Sequence, residues 1–96
     1  MKYSINVYNP EDGSIKGTYG TDFISTNAFI KAVGAMKEIE GEKEIETIVG
    51  KIASVVSYII PSLSVDEIMD GCDVGDMVAL VKQVVAKMSG VESSKN

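Results

Sequence analysis

Five carboxylates fall between Asp66 and Asp76, namely Asp66, Glu67, Asp70, Asp73 and Asp76, with Cys72 among them. Acids gathered in this way are the raw material of a divalent-cation site or of a general acid and base pair. Either chemistry needs partners that the chain does not offer. There is no histidine, and no serine, threonine or cysteine stands in a recognisable nucleophile context. Helix starts account for the acids more economically. Ser64-Val65-Asp66-Glu67 has the S-x-x-E spacing of a capping box, and Asp73 and Asp76 flank a second helix start, where negative charge meets the positive end of the helix dipole. Cys72 follows a helix-ending glycine and has no basic neighbour in sequence to lower its pKa, so it reads as a structural thiol. No catalytic, cofactor-binding or metal-ligating residues are assigned, and the chain reads as a non-enzyme.

Two other chemistries can be weighed. A small acidic helical protein suggests an acyl carrier, which needs an attachment serine at a helix start in an Asp-Ser-Leu context. The nearest match, Pro61-Ser62-Leu63, lacks the aspartate and precedes Ser64, the better cap. The turn Asn9-Pro10-Glu11-Asp12-Gly13 has the composition of a phosphate or calcium loop. It has neither a GxxxxGK pattern nor acids at positions one, three and five closed by a glutamate. Nine lysines, no arginine and fourteen acids give a net charge of −5, spread over both halves. That balance argues against nucleic acid, which is bound by clustered lysine and arginine.

The elements that must position any site are legible from periodicity. The stretch 42–60, EKEIETIVGKIASVVSYII, winds Ile45, Ile48, Val49, Ile52, Ala53, Val55, Val56, Ile59 and Ile60 into one arc of roughly 160°, the stripe of a core-facing helix. Pro61 should end it near Ile60. Before it, Tyr3, Ile5 and Val7 alternate with polar residues as a half-buried strand. The 9–13 turn and a return strand over 15–19 complete a hairpin. Ser25-Thr26-Asn27 offers N-caps for a helix over 28–39, with Phe29, Ala32, Val33, Met36 and Ile39 on one face. Gly41 stands at its C-cap. After Pro61 come a short helix with Ile68 and Met69 facing inward, ended by Gly71, and a last helix. In the latter, Met77, Val78, Leu80, Val81, Val84, Val85 and Met88 again share an arc, closed by Ser89-Gly90. Residues 92–96 read as a polar tail. The expected fold is mainly α, of the α+β class, with an N-terminal β-hairpin packed on a compact arrangement of three to four helices. It forms one domain over 1–90, followed by a flexible tail over 91–96.

The second half, SLSVDEIMDGCDVGDMVALVKQVVAKM over Ser62–Met88, resembles the tail assembly chaperones of long-tailed, siphovirus-type phages and prophages of Gram-positive bacteria. It shares their short acidic helix, glycine, Asp-rich turn and final apolar helix. The resemblance extends in layout to the hairpin, the first helix and the acidic connector before the long helix. It implies a protein that coats the long helical tape measure protein, keeps it soluble and yields to tail tube subunits. It also implies self-association into helical or spiral oligomers, and a longer product made by ribosomal frameshifting. The alternative reading is a small cytosolic bacterial adaptor or regulatory protein acting as a dimer.

The residues themselves point to a surface. The back of the central helix carries Thr47, Gly50, Ser54 and Ser57, small enough to let another helix approach closely. The back of the last helix carries Ala79, Gln83 and Ala86. Apolar and small-residue faces in excess of what one small core can bury make these seven positions the candidate partner or self-association surface. A single cysteine fits a reducing compartment. The N-terminus lacks the apolar run of a signal peptide, and no stretch reaches the length of a membrane span. The expected location is therefore the cytoplasm of the host bacterium, with neither membrane nor nucleic acid as partner.

Overall fold

The computed structural model describes the backbone of residues 1–93 and the side chains of residues 1–87. Strands β1 (Tyr3–Tyr8) and β2 (Ile15–Thr21) form an antiparallel hairpin, followed by helices α1 (Thr26–Glu40), α2 (Ile45–Ile59), α3 (Val65–Gly71) and α4 (Val74–Ser93). This is the expected α+β arrangement, a hairpin packed on helices.

The hairpin is set by its turn. Asn9 N–H donates to the Ser14 carbonyl and Gly13 N–H to the Asn9 carbonyl, each at 2.8 Å. The turn closes through Gly13 at φ +74°, a left-handed conformation that glycine adopts without a Cβ clash. Asp12 accepts from both the Ser14 backbone and hydroxyl, at 2.9 and 2.7 Å, and these bonds hold its carboxyl below the usual range. Ladder register pairs Tyr3 with Thr21 and Val7 with Gly17. It then slips so that Tyr8 faces Ile15, leaving Lys16 as a bulge. Tyr3, Ile5 and Val7 all point into the core, as strand alternation requires.

Helix α2 lies at the centre of the fold and touches each of the other three helices. Ile52, Ala53, Val55, Val56 and Ile59 are buried along it. Pro61 follows Ile60, whose N–H makes the last helical bond to the Val56 carbonyl at 2.8 Å. Opposite it, α4 buries Met77, Leu80, Val81 and Val84, and its other side meets β1. In α1 the deepest contacts are made by alanines 28, 32 and 35, with Phe29, Met36 and Ile39 packed at the margin of the core. Helix α1 packs on both α2 and α4.

Several expectations are corrected. Helix α2 begins at Ile45 rather than Glu42, and Ile45 itself is 70% exposed. Helical side chains lean toward the N-terminus, so a first-turn residue projects over the connector and not onto the core. Met69 is 48% exposed. Helix α3 has only two turns, and Ile68 and Gly71 use up its inward face. The expected C-cap at Gly41 is present, at φ −96° and with its N–H bonded to the Ile39 carbonyl. The chain passes straight into the connector there, where Glu42 accepts from the backbone of Lys43 and Glu44. Helix α4 continues through Ser89 and Gly90 to Ser93, since an isolated glycine costs only about 1 kcal/mol in a helix. The Met88 side chain, placed by the sequence in the α4 stripe, and residues 94–96 of the expected tail lie outside the described residues.

Candidate functional site

The acidic segment resolves into caps. Ser64 Oγ accepts from Glu67 N–H at 3.1 Å, and the Glu67 carboxylate accepts from Ser64 N–H at 3.0 Å, which is the reciprocal capping box. These bonds hold the Glu67 carboxyl below its ordinary value. Asp73 accepts from Asp76 N–H at 3.1 Å and so begins α4. Ser62 is exposed and lies ahead of the cap, outside any helix. Among the described residues, no three His, Cys, Asp or Glu side chains converge as a metal site. Cys72 is half-buried at the end of α3, and desolvation, aided by Asp76, pushes its thiol pKa up. A protonated thiol is a poor nucleophile.

The seven surface positions do not form one face. Ser57 is used internally, its hydroxyl donating to the Leu63 carbonyl at 2.7 Å and tying down the loop after α2. Gln83 Nε2 donates to the Lys2 carbonyl at 3.1 Å and ties the hairpin to α4. Ala79 lines a shallow cleft between α4 and β1, beside Ser4 and Asn6. Ala86 is exposed farther along α4. Thr47 and Gly50 are half-buried on α2, and a Cβ added at Gly50 would meet nothing within 4 Å. Ser54, whose hydroxyl turns back to the Gly50 carbonyl at 3.0 Å, lines a different opening.

That opening is an apolar groove of about 390 Å³ between α1 and α2. Ala35 and Val55 form its floor, Gly34 and Ser54 its sides, and Ile30 stands on its rim, 59% exposed. No atom lies within 4 Å of where a Gly34 side chain would begin. Both ends of the groove are polar. At one, Lys51 Nζ meets Glu38 Oε2 at 2.6 Å, raising the lysine pKa and lowering that of the glutamate. At the other, Lys31 Nζ sits 5.1 Å from the centre of the Tyr58 ring, a cation–π contact. The contribution of α1 is what the reading of the sequence missed. Its signal was there in Ile30 and Gly34, four residues apart and therefore stacked on one helical face, away from the alanines.

No known family model, characterised protein or solved structure matches this chain. A groove floored by small apolar residues, open to solvent and closed at each end by charge, has the shape and chemistry to accept one apolar helix ridge. Among the described residues, no helix is long and apolar enough to cross a membrane.

Proposed function

We propose that the protein is a non-enzymatic tail assembly chaperone that holds apolar helices of a phage tape measure protein in the α1–α2 groove. It keeps that partner soluble and releases it to tail tube subunits. The observation that carries this reading is the groove itself, where Ile30 is exposed at the rim beside Gly34 and Ser54, which carry little side-chain bulk, above the buried Ala35 and Val55. The resemblance of Ser62–Met88 to such chaperones supplies the identity of the partner. Mechanistically, the exchange is non-covalent. A client helix buries apolar area at about 25 cal/mol per Å², much of it offset by lost freedom on association. The resulting affinity suits a client that must later be surrendered.

The test is co-expression with a helical tape measure fragment that is insoluble alone. The wild-type protein should keep the fragment in solution and co-purify with it, and added tail tube subunits should release it. Ile30→Glu or Ser54→Glu, both at exposed positions, should lose the fragment while keeping wild-type helicity. If the wild type fails to solubilise any tape measure fragment, or if both variants hold it equally well, the reading is wrong.

A further inference from the structure

We propose that the α1–α2 groove selects its helix by charge as well as by shape: the occupant carries a carboxylate three or four residues from the apolar side chain it inserts, and that carboxylate meets Lys31. The inference rests on the client site proposed above and names what that site recognises.

Three charged side chains line the groove, Lys31, Glu38 and Lys51. Glu38 and Lys51 neutralise each other through their direct contact, and Glu42 adds negative charge near Lys51. Lys31 differs from both. It is exposed, and among the described residues it pairs with no carboxylate. Its nitrogen lies over the Tyr58 ring instead, which steadies the cation without neutralising it. The residues three and four positions away on α1 are Asn27, Ala28, Gly34 and Ala35, none of them acidic. A chain of net charge −5 thus keeps an unneutralised cation in an apolar groove. A helix laid there strips water from Lys31, a cost that an opposite charge on the helix offsets. A lysine or arginine in the same place adds repulsion.

The levels of the two helices set the spacing. Lys31 is level with Tyr58 and Glu38 with Lys51, seven residues on along α1 and seven back along α2. The helices are therefore antiparallel and in step. By the same count Gly34 stands level with Val55 and Ala35 with Ser54, and there the small side chains leave room for an inserted one. Gly34 lies about 4.5 Å along the axis from Lys31 and about 6 Å from Glu38, at a rise of about 1.5 Å per residue. A client helix lying along the groove has the same rise. Its carboxylate then stands three or four positions from the inserted apolar residue, on the same face. One turn to the other side, facing Glu38 and Glu42, its side chain is neutral or basic. Whether the acid precedes or follows the inserted residue fixes the direction in which the helix lies.

The test uses three labelled helical peptides of about 20 residues, long enough to hold a helix in water. They share an apolar ridge of leucine and alanine and differ only four positions before the central leucine, at glutamate, glutamine or lysine. Fluorescence anisotropy with the full chain at low salt should rank them glutamate, glutamine, lysine, with up to about fivefold in Kd at each step. Salt at about 1 M should draw the three together, because it screens charge and leaves apolar contact. Lys31→Glu should keep its helicity and reverse the ranking, and Ile30→Glu should lose all three peptides. Equal binding of the three by wild type, or a ranking unchanged in Lys31→Glu, would overturn charge selection; loss of binding in Ile30→Glu would then leave the groove standing as the client site. If wild type binds none of the peptides, this inference falls, and the co-expression with a tape measure fragment alone decides the client reading.

Discussion

Replacing Gly71 by alanine sets two physical effects against each other, and the structure decides between them. Alanine is the better helix former, by up to about 1 kcal/mol, and Gly71 is the last residue of α3. Yet Gly71 is where α3 leans on the hairpin. A Cβ built there would lie 2.6 Å from Val7 Cγ1 and 3.1 Å from the Tyr8 carbonyl oxygen. Neither neighbour can give way easily. Val7 is 6% exposed and β-branched, hence stiff at χ1, and the carbonyl belongs to the strand backbone. Overpacking of this kind costs about 1–3 kcal/mol, and the helix gain at a terminal position is well below its interior value. The net expectation is a loss of about 1–2 kcal/mol, read as a melting temperature lower by about 4–16 °C in a domain of this size. Gly34→Ala is the internal control, since it lies inside α1 with nothing within 4 Å. It should gain about 0.4–1 kcal/mol. Both variants are to be measured by thermal and urea denaturation followed by far-UV circular dichroism. The double variant Val7→Ala/Gly71→Ala should lose less than the sum of the two single changes, because the clashing methyl is gone. If Gly71→Ala is as stable as Gly34→Ala, the docking of α3 on β1 described here is incorrect.

Three further expectations follow from particular residues. Ile52→Ala, at the buried centre of α2, should cost about 2–4 kcal/mol; a parental melting temperature would remove that face from the core. Glu67 has its folded pKa lowered below the ordinary 4.5 by the Ser64 backbone and hydroxyl, so its stabilising effect is complete above that pH and fades as the pH falls through the lower, folded value. Glu67→Gln should therefore flatten the acid limb of a melting-temperature profile measured downward from pH 5, and an unchanged limb would contradict the capping role. Divalent metals, or coenzyme A with a phosphopantetheinyl transferase, should leave mass and melting temperature unaltered; stoichiometric modification of Ser62 would establish carrier chemistry instead.

What the sequence disclosed was whatever local rules determine. The α2 and α4 stripes, the inward alternation of Tyr3, Ile5 and Val7, the Ser64–Glu67 box and the stop before Pro61 each depend on residues within a turn or two of one another. The seven surface positions were harder, because their fate is decided by distant chain. Ser57 is claimed by Leu63 and Gln83 by Lys2, and the second of these contacts spans nearly the whole sequence. Periodicity can show that a residue turns away from its own helix's buried face. It cannot show whether the loop or strand that arrives there will take its hydrogen bond. Ile45 and Met69 fail for a related reason, since an apolar position at a helix tip or on a two-turn helix has no neighbour guaranteed to cover it.

The glycines separate the two sides of the molecule. At Gly20 and Gly71 an added methyl would collide with the first strand or its neighbours, so these glycines let backbones meet inside the fold. At Gly34 and Gly50 it would meet nothing, although each costs its helix up to about 1 kcal/mol relative to alanine. Packing within the chain does not account for that cost; under the proposed function, close approach of a client helix would. Alanine at Gly34 should therefore stabilise the isolated monomer and yet weaken whatever seats itself between α1 and α2. A variant that gained stability and bound its partner equally well would show that the open space at Gly34 has no part in recognition, leaving Ile30 and the charged ends of the groove to carry it.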